Sequence, residues 1–130
     1  MAGLCAKPVI DILVPVRELP TSRPAIAALE RRHGYLYWPY ESDEMHWRCK
    51  SAPDVRTHHV HLVPASSAAY HARLEFRDRL RADPELRRRY GELKRRLARE
   101  CADDREAYTA GKAPFITDAL RAVVQLPRKR

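Results

Sequence analysis

The sequence predicts an α/β (α+β) fold, strand-rich over residues 1–65 and helical over 66–127, read as a single domain across 1–130. Three observations predict it. Short β-branched and alternating segments are confined to the first half. Apolar residues at helical spacing, preceded by capping residues, fill the second. The length of 130 residues and the hydrophobic fraction of 45% suit one core, with no internal repeat or low-complexity linker.

The run Val9-Ile10-Asp11-Ile12-Leu13-Val14 is short and apolar on both faces, which predicts a buried central strand with Asp11 as its only charge. Residues 24–33 predict a helix, with Pro24 in the first turn, Gly34 just past the end, and Ile26 and Leu29 facing inward. Residues 35–40 are aromatic-rich, and Pro39 marks an edge or a strand end. Residues 45–50 alternate, with Met45, Trp47 and Cys49 on one face and His46, Arg48 and Lys50 on the other. Residues 56–63 alternate too: His58, Val60 and Leu62 share one face, and His59, His61 and Val63 the other.

Ser66 and Ser67 are placed to cap a helix over residues 70–80. Asp83-Pro84-Glu85 reads as N-cap, first helical residue and acidic first turn of the next. Its apolar stripe is Leu86, Tyr90, Leu93 and Leu97. A last helical region starts near Asp103 or Asp104. It is interrupted by Gly111 and Pro114 and resumes with Phe115, Ile116, Leu120 and Val123 buried.

Composition limits the function classes. The apolar stretch over residues 9–16, broken by Asp11 and Pro15, is far too short to span a bilayer, so no membrane role is expected. No charged region followed by an apolar one opens the chain. Cys5, Cys49 and Cys101, an odd number without C-x-x-C spacing, read as reduced structural thiols of a cytoplasmic protein. The net charge is +8, and residues 73–99 hold eleven Lys or Arg against five Asp or Glu, with a basic tail at Arg128-Lys129-Arg130. Such a stripe can meet nucleic acid. Solvated outer faces of Arg-rich helices explain most of it more simply, because no aromatics interleave as a stacking platform. P-loop, G-x-G-x-x-G, G-x-S-x-G and H-E-x-x-H motifs are missing from the sequence.

Two features carry chemistry. A carboxylate in a buried strand costs several kcal/mol unless paired, hydrogen-bonded or metal-bound, so Asp11 needs a partner, with Lys7 or an arginine as the structural choice. His59 and His61, two apart on a strand, project from one face with Cα atoms roughly 6.5–7 Å apart. That geometry suits two ligands of one metal or two phosphate-facing donors, against the plain alternative of a polar sheet face.

The run from Gly3 to Val14 (GLCAKPVIDILV) resembles the "G-L-x-A-K-P-x-I-D-I-x-V" segment of GrpB-family proteins. Arg56-Thr57-His58-His59-Val60-His61 is similar to that family's "R-T-H-H-L-H" strand. Phe76-Arg77-Asp78 and Pro84-Glu85-Leu86 resemble its "F-R-D" and "P-E-L" helices, with Tyr90, Leu93 and Lys94 matching "Y-x-x-L-K". Asp104 to Lys112, with Phe115, resembles "D-R-x-A-Y-x-x-G-K-x-x-F". The blocks cover essentially the whole chain in order.

The resemblance implies a nucleotidyltransferase-like mixed sheet followed by a C-terminal helical segment. That superfamily holds Mg²⁺ with strand carboxylates and seats triphosphate on a Gly-Ser turn. In the family this turn comes just before the Gly-Leu that is Gly3-Leu4 here, so the chain is expected to be N-terminally truncated. The usual D-x-D of the strand reads Asp11-Ile12-Leu13, which argues against a two-Mg²⁺ mechanism.

Three readings follow. In the first, a transferase-like site, Asp11, His59 and His61 are the catalytic and metal-binding residues, with Mg²⁺, Mn²⁺ or Zn²⁺ as cofactor. Lys7, Arg56, Arg77 and Lys112 clamp the phosphates of a nucleotide, and Tyr108 lines the pocket. The plain alternatives are a salt bridge for each base, Arg77 with Asp78 among them, and core packing for Tyr108. The second reading is a non-catalytic interaction or folding-support module, self-associating or covered by a protein partner. The third is a basic nucleic-acid-binding protein. The expectation is a GrpB-type fold whose nucleotide or metal site is atypical or vestigial.

Overall fold

The computed structural model describes residues 4, 6–38, 44–51 and 56–121. It separates into two compact units, Ala6–His71 and a helical unit of Ala72–Arg130 with Met1–Cys5.

The first unit holds β1 (Ile10–Val16), a 3-10 turn (Pro20–Ser22), α1 (Arg23–His33), β2 (Tyr35–Trp38), β3 (His46–Ser51) and β4 (Arg56–Pro64). The sheet order is β1-β4-β3-β2, with β1 parallel to β4 and the other pairs antiparallel, so the sheet is mixed as expected. α1 stops where the sequence places its end. Gly34 adopts the left-handed conformation (φ 67°), and its N–H donates to the Glu30 carbonyl at 3.2 Å. Arg31, Arg32 and His33 in the last turn suit the negative end of the helix dipole.

α1 covers one face of the sheet. Ile26, Tyr35, Val60 and Leu62 form the buried cluster, with Val14, Val16 and Leu29 packed against it. On that same face Arg48 of β3 is only 4% exposed. Its Nη1 donates to the Trp47 carbonyl at 2.8 Å, and its Nε lies 3.3 Å from Glu30 Oε1 on α1. A buried guanidinium thus ties the helix to the strand.

One expectation fails. β1 is the edge of the described sheet, not a central strand, and Ile10 and Ile12 are 57% and 37% exposed. Its apolar character on both faces suggested burial on both. Yet α1 covers only the Val14–Val16 end and leaves an open apolar groove lined by Ile12, Val14, Ala25, Leu29 and Leu62. β4, carrying the histidines, is central instead.

The helical segment follows as α2 (Ala68–Ala82), α3 (Pro84–Glu100), α4 (Arg105–Ala110) and α5 (Ala113–Arg121). Ser67 Oγ accepts from the Tyr70 N–H at 3.2 Å, and Asp83 Oδ1 accepts from Glu85 and Leu86 N–H at 2.9 Å each. Asp104 caps α4 through the Ala107 N–H at 2.9 Å. Tyr90 is the hub of the aromatic packing, edge-on to Phe76 at 5.1 Å and stacked on Phe115 at 5.4 Å.

The last helical region breaks at Gly111 and Lys112, while Pro114 sits in the first turn of α5 and helps to start it. A Cβ on Gly111 would meet Leu97 Cδ2 at 2.6 Å, so glycine permits close approach to α3. Phe115, Ile116 and Leu120 are half-buried rather than buried, and Ala119 is the buried residue of α5. Val123, Pro39, the Cys5 thiol and the basic tail lie outside the described residues.

Three substitutions test the packing and the capping. Leu62→Ala, at 1% exposure, is expected to cost about 2–5 kcal/mol in urea unfolding, whereas Leu36→Ala, at 47%, stays within about 0.5 kcal/mol. Asp83→Ala should cost about 1 kcal/mol through the lost cap, and equal stability of that variant would contradict the capping geometry.

Candidate metal centre

The face of the sheet opposite α1 carries the polar cluster. β1 and β4 run parallel in a register that pairs Asp11 with His59 and Leu13 with His61. β3 on the far side of β4 pairs Cys49 with His59 and Trp47 with His61. Because side chains alternate, all six lie on one face in two rows of three. One row reads Cys49, His59, Asp11; the other reads Trp47, His61, Leu13.

Within this array Asp11 Oδ1 lies 2.9 Å from His59 Nδ1 and 3.5 Å from His61 Nε2. Asp11, His59 and His61 each offer one ligand atom, and these atoms all fall within 4.8 Å of one another. The Asp11 side chain is 69% exposed while the histidines are 20% and 24% exposed, so the cluster opens to solvent on its carboxylate side. The hydrogen bond from His61 and then that from His59 hold the Asp11 carboxyl below the usual carboxylate range, outweighing partial burial. The described partners of Asp11 are the two histidines, where the sequence suggested Lys7 or an arginine, and at 69% exposure the carboxylate is not the buried charge that the sequence predicted.

The donor set fits a transition ion. Two imidazoles and one carboxylate are ligand types of Zn²⁺ and related metals, and poor ones for Mg²⁺. Ligand bonds near 2.0–2.2 Å put neighbouring tetrahedral donors roughly 3.3 Å apart. The 3.5 Å separation already has that span, and the 2.9 Å one needs a few tenths more.

The remaining site candidates behave differently. Lys7 is exposed ahead of β1. Arg56 opens β4, and its side chain lies outside the described residues. Arg77, on α2, makes a two-pronged contact with its neighbour Asp78, Nε to Oδ1 at 2.7 Å and Nη2 to Oδ2 at 2.9 Å. Tyr108 is half-buried on α4, where burial pushes its hydroxyl pKa up. Lys112 Nζ sits 4.5 Å from the Tyr108 ring centre, a cation–π contact. Arg77, Tyr108 and Lys112 belong to the helical unit.

Sequence reasoning missed Trp47. Its ring centre is 5.0 Å from that of His59, edge-on, and 6.3 Å from that of His61, stacked. The alternation of residues 45–50 already put it on one face of its strand; only the strand pairing could show that this face is also the histidines' face.

A mixed sheet bearing a two-histidine, one-carboxylate cluster on parallel neighbours, followed by a helical segment, defines an α+β protein with a candidate metal centre. The chain belongs to the GrpB family: the family model described as GrpB protein matches residues 1–122. It is 41% identical over 122 residues to the UPF0157 protein PA4798 of Pseudomonas aeruginosa, covering 91% of this chain and 49% of that protein. It is 35% identical over 122 residues to a UPF0157 protein of Deinococcus radiodurans, covering 94% and 62%. The chain thus spans about half to three-fifths of the length of these relatives. The crystal structure of conserved protein GrpB from Enterococcus faecalis matches with a TM-score of 0.72 at 30% identity, over 95% of this chain and 76% of that one.

The hydrogen-bonded cluster has a pH signature in metal-free protein. The Asp11 carboxyl is lowered in the folded state, so its contribution to stability is complete above the unfolded carboxylate pKa. It is lost as pH falls through the lower folded value. Carbon-13 titration of the Asp11 carboxyl should show a midpoint below the usual range; a midpoint at or above it would contradict the cluster.

Proposed function

We propose that this chain is a divalent-metal-binding module of nucleotidyltransferase type, in which Asp11, His59 and His61 hold a transition ion that receives the phosphates of a nucleotide. The convergence of three donor atoms within 4.8 Å, from strands distant in sequence, carries this reading. Three protein ligands would leave coordination positions for a ligand, and the Asp11 side of the cluster is exposed. A metal held there would supply Lewis-acid polarisation of a phosphoryl oxygen. The chain's own part is to fix the donors and, through the basic residue Lys7 just before β1, to add positive charge to the first unit. Leu13 stands where a second carboxylate would sit, which favours binding over group transfer.

The nucleic-acid reading is weaker, because many described arginines of the helical unit already have partners. Arg77 and Arg81 meet Asp78, Arg88 meets Glu85 and Glu92, and Arg96 meets Glu100. Arg79 and Arg87 donate to the end carbonyls of α5 and α2.

Calorimetric titration tests the proposal. Zn²⁺ and Mn²⁺ should bind one per chain, Mg²⁺ much more weakly, and nucleoside triphosphate should bind more tightly to metal-loaded protein than to metal-free protein. Asp11→Ala and His61→Ala should each lower zinc affinity on the order of a hundredfold, ~2.7 kcal/mol. An absence of heat with every metal, or full affinity in both variants, would sink the metal centre. Equal triphosphate affinity with and without metal would sink the nucleotide.

A further inference from the structure

We infer that Trp47 is the positioning residue of the Asp11–His59–His61 cluster: its indole holds the two imidazoles crosswise so that one presents Nδ1 and the other Nε2 to a single carboxylate oxygen. The metal consequences rest on the reading above; the ring geometry stands without it.

A histidine on a strand turns about a broad, roughly two-fold outer torsion, so either ring nitrogen can point either way. Here two imidazoles on neighbouring positions of one face must choose opposite nitrogens to reach Asp11 Oδ1, His59 by Nδ1 and His61 by Nε2. They do so with their ring planes at 90° and centres 6.1 Å apart. A single third ring meets both. Trp47 lies at 69° to His59, edge to face, and at 28° to His61, nearly parallel. One flat indole thus lies edge-on to one imidazole and closer to parallel with the other, which matches the perpendicular pair observed at Asp11 Oδ1.

The backbone places the indole beside both rings. Trp47 is the register partner of His61 on β3, and Leu13 is its partner on β1, so His61 stands in its row between an indole and an isobutyl group. Among the described residues, its ion-pair partner lies diagonally, at Asp11. Trp47 is 9% exposed where Asp11 is 69% exposed, so the indole forms the closed back of a site whose front is the carboxylate. A closed aromatic wall and an open acidic side also set the direction of ligand approach, over Asp11 and away from β3.

Freeing two rings from a fixed orientation should weaken a metal bound by both about tenfold. The test uses the full chain in three forms, unmutated, Trp47→Phe and Trp47→Leu, with Zn²⁺ affinity by calorimetry and the Co²⁺ visible spectrum as a report of ligand geometry. Trp47→Phe, which keeps an aromatic face, is expected to stay within about threefold of the unmutated protein. Trp47→Leu is expected to lose about tenfold and to change the cobalt spectrum.

Metal-free protein supplies an independent readout. Unmutated chain should show nuclear Overhauser contacts from the indole to both imidazoles, and the His59 and His61 ring-proton shifts should stay close to the unmutated values in Trp47→Phe and move towards those of unstructured histidine in Trp47→Leu. Equal zinc affinity and cobalt spectra in all three forms overturn the inference. So does a lack of indole–imidazole contacts in the unmutated chain, which decides the point even if Trp47→Leu does not fold. If the unmutated chain binds no metal, the metal-binding reading fails by itself, and the ring contacts and ring-proton shifts still decide the role of Trp47.

Discussion

The parallel register of β1 on β4 is the constraint on which the rest of the site depends. It pairs Asp11 with His59, and a slip of one residue would send Asp11 to the opposite face. The register is fixed from the other side of the sheet. Val14 and Val16 must face α1 to join Ile26, Val60 and Leu62 in the core, and strict alternation then leaves Asp11 and Leu13 on the opposite face. The hydrophobic core therefore positions the polar cluster without touching it. A residue such as Leu62, remote from the histidine rings, acts on the cluster through the strand that both share.

The polar groups of the two faces follow different electrostatic logic. On the helix-covered face, Arg48 is buried but its charge meets Glu30 and a backbone carbonyl. On the opposite face, the carboxylate is exposed and its neighbours are imidazoles, which carry no permanent charge. The first arrangement is a fixed tether. The second keeps donor atoms close together with no permanent positive charge among them, which is what a cation requires. In the helical unit, many basic side chains are held by acidic neighbours or by helix ends. The formal charge of +8 is accordingly a poor guide to where a ligand binds.

Much of this was legible in the sequence because it is local. Alternation gave the faces of β3 and β4, Gly34 the end of α1, and Asp83-Pro84 the start of α3. Strand order was not legible. The segment Val9 to Val14 reads as a central strand because apolar residues occupy both of its faces, yet β1 is the edge of the described sheet and Ile10 is 57% exposed. A short strand reports the apolarity of its own faces, and nothing in it records how far a neighbouring helix extends. The same limit hid Trp47, whose meeting with the histidines depends on the pairing of β3 with β4. Arg77 was read as a phosphate clamp or a salt bridge, and the adjacent Asp78 engages it.

Leu13 shows how one position shifts the chemistry of a whole cluster. The nucleotidyltransferase pattern that this strand resembles has two carboxylates two residues apart, on one face. Here the second place is Leu13, the register partner of His61. The cluster therefore carries one formal negative charge and two imidazoles in place of an all-carboxylate set. Hard Mg²⁺ loses the oxygen ligands and the charge that hold it, whereas a softer ion gains nitrogen donors. The apolar side chain also removes a hydrogen-bond acceptor that would compete with Asp11 for His61. A single leucine thus replaces the second carboxylate of that pattern and puts an apolar side chain beside His61.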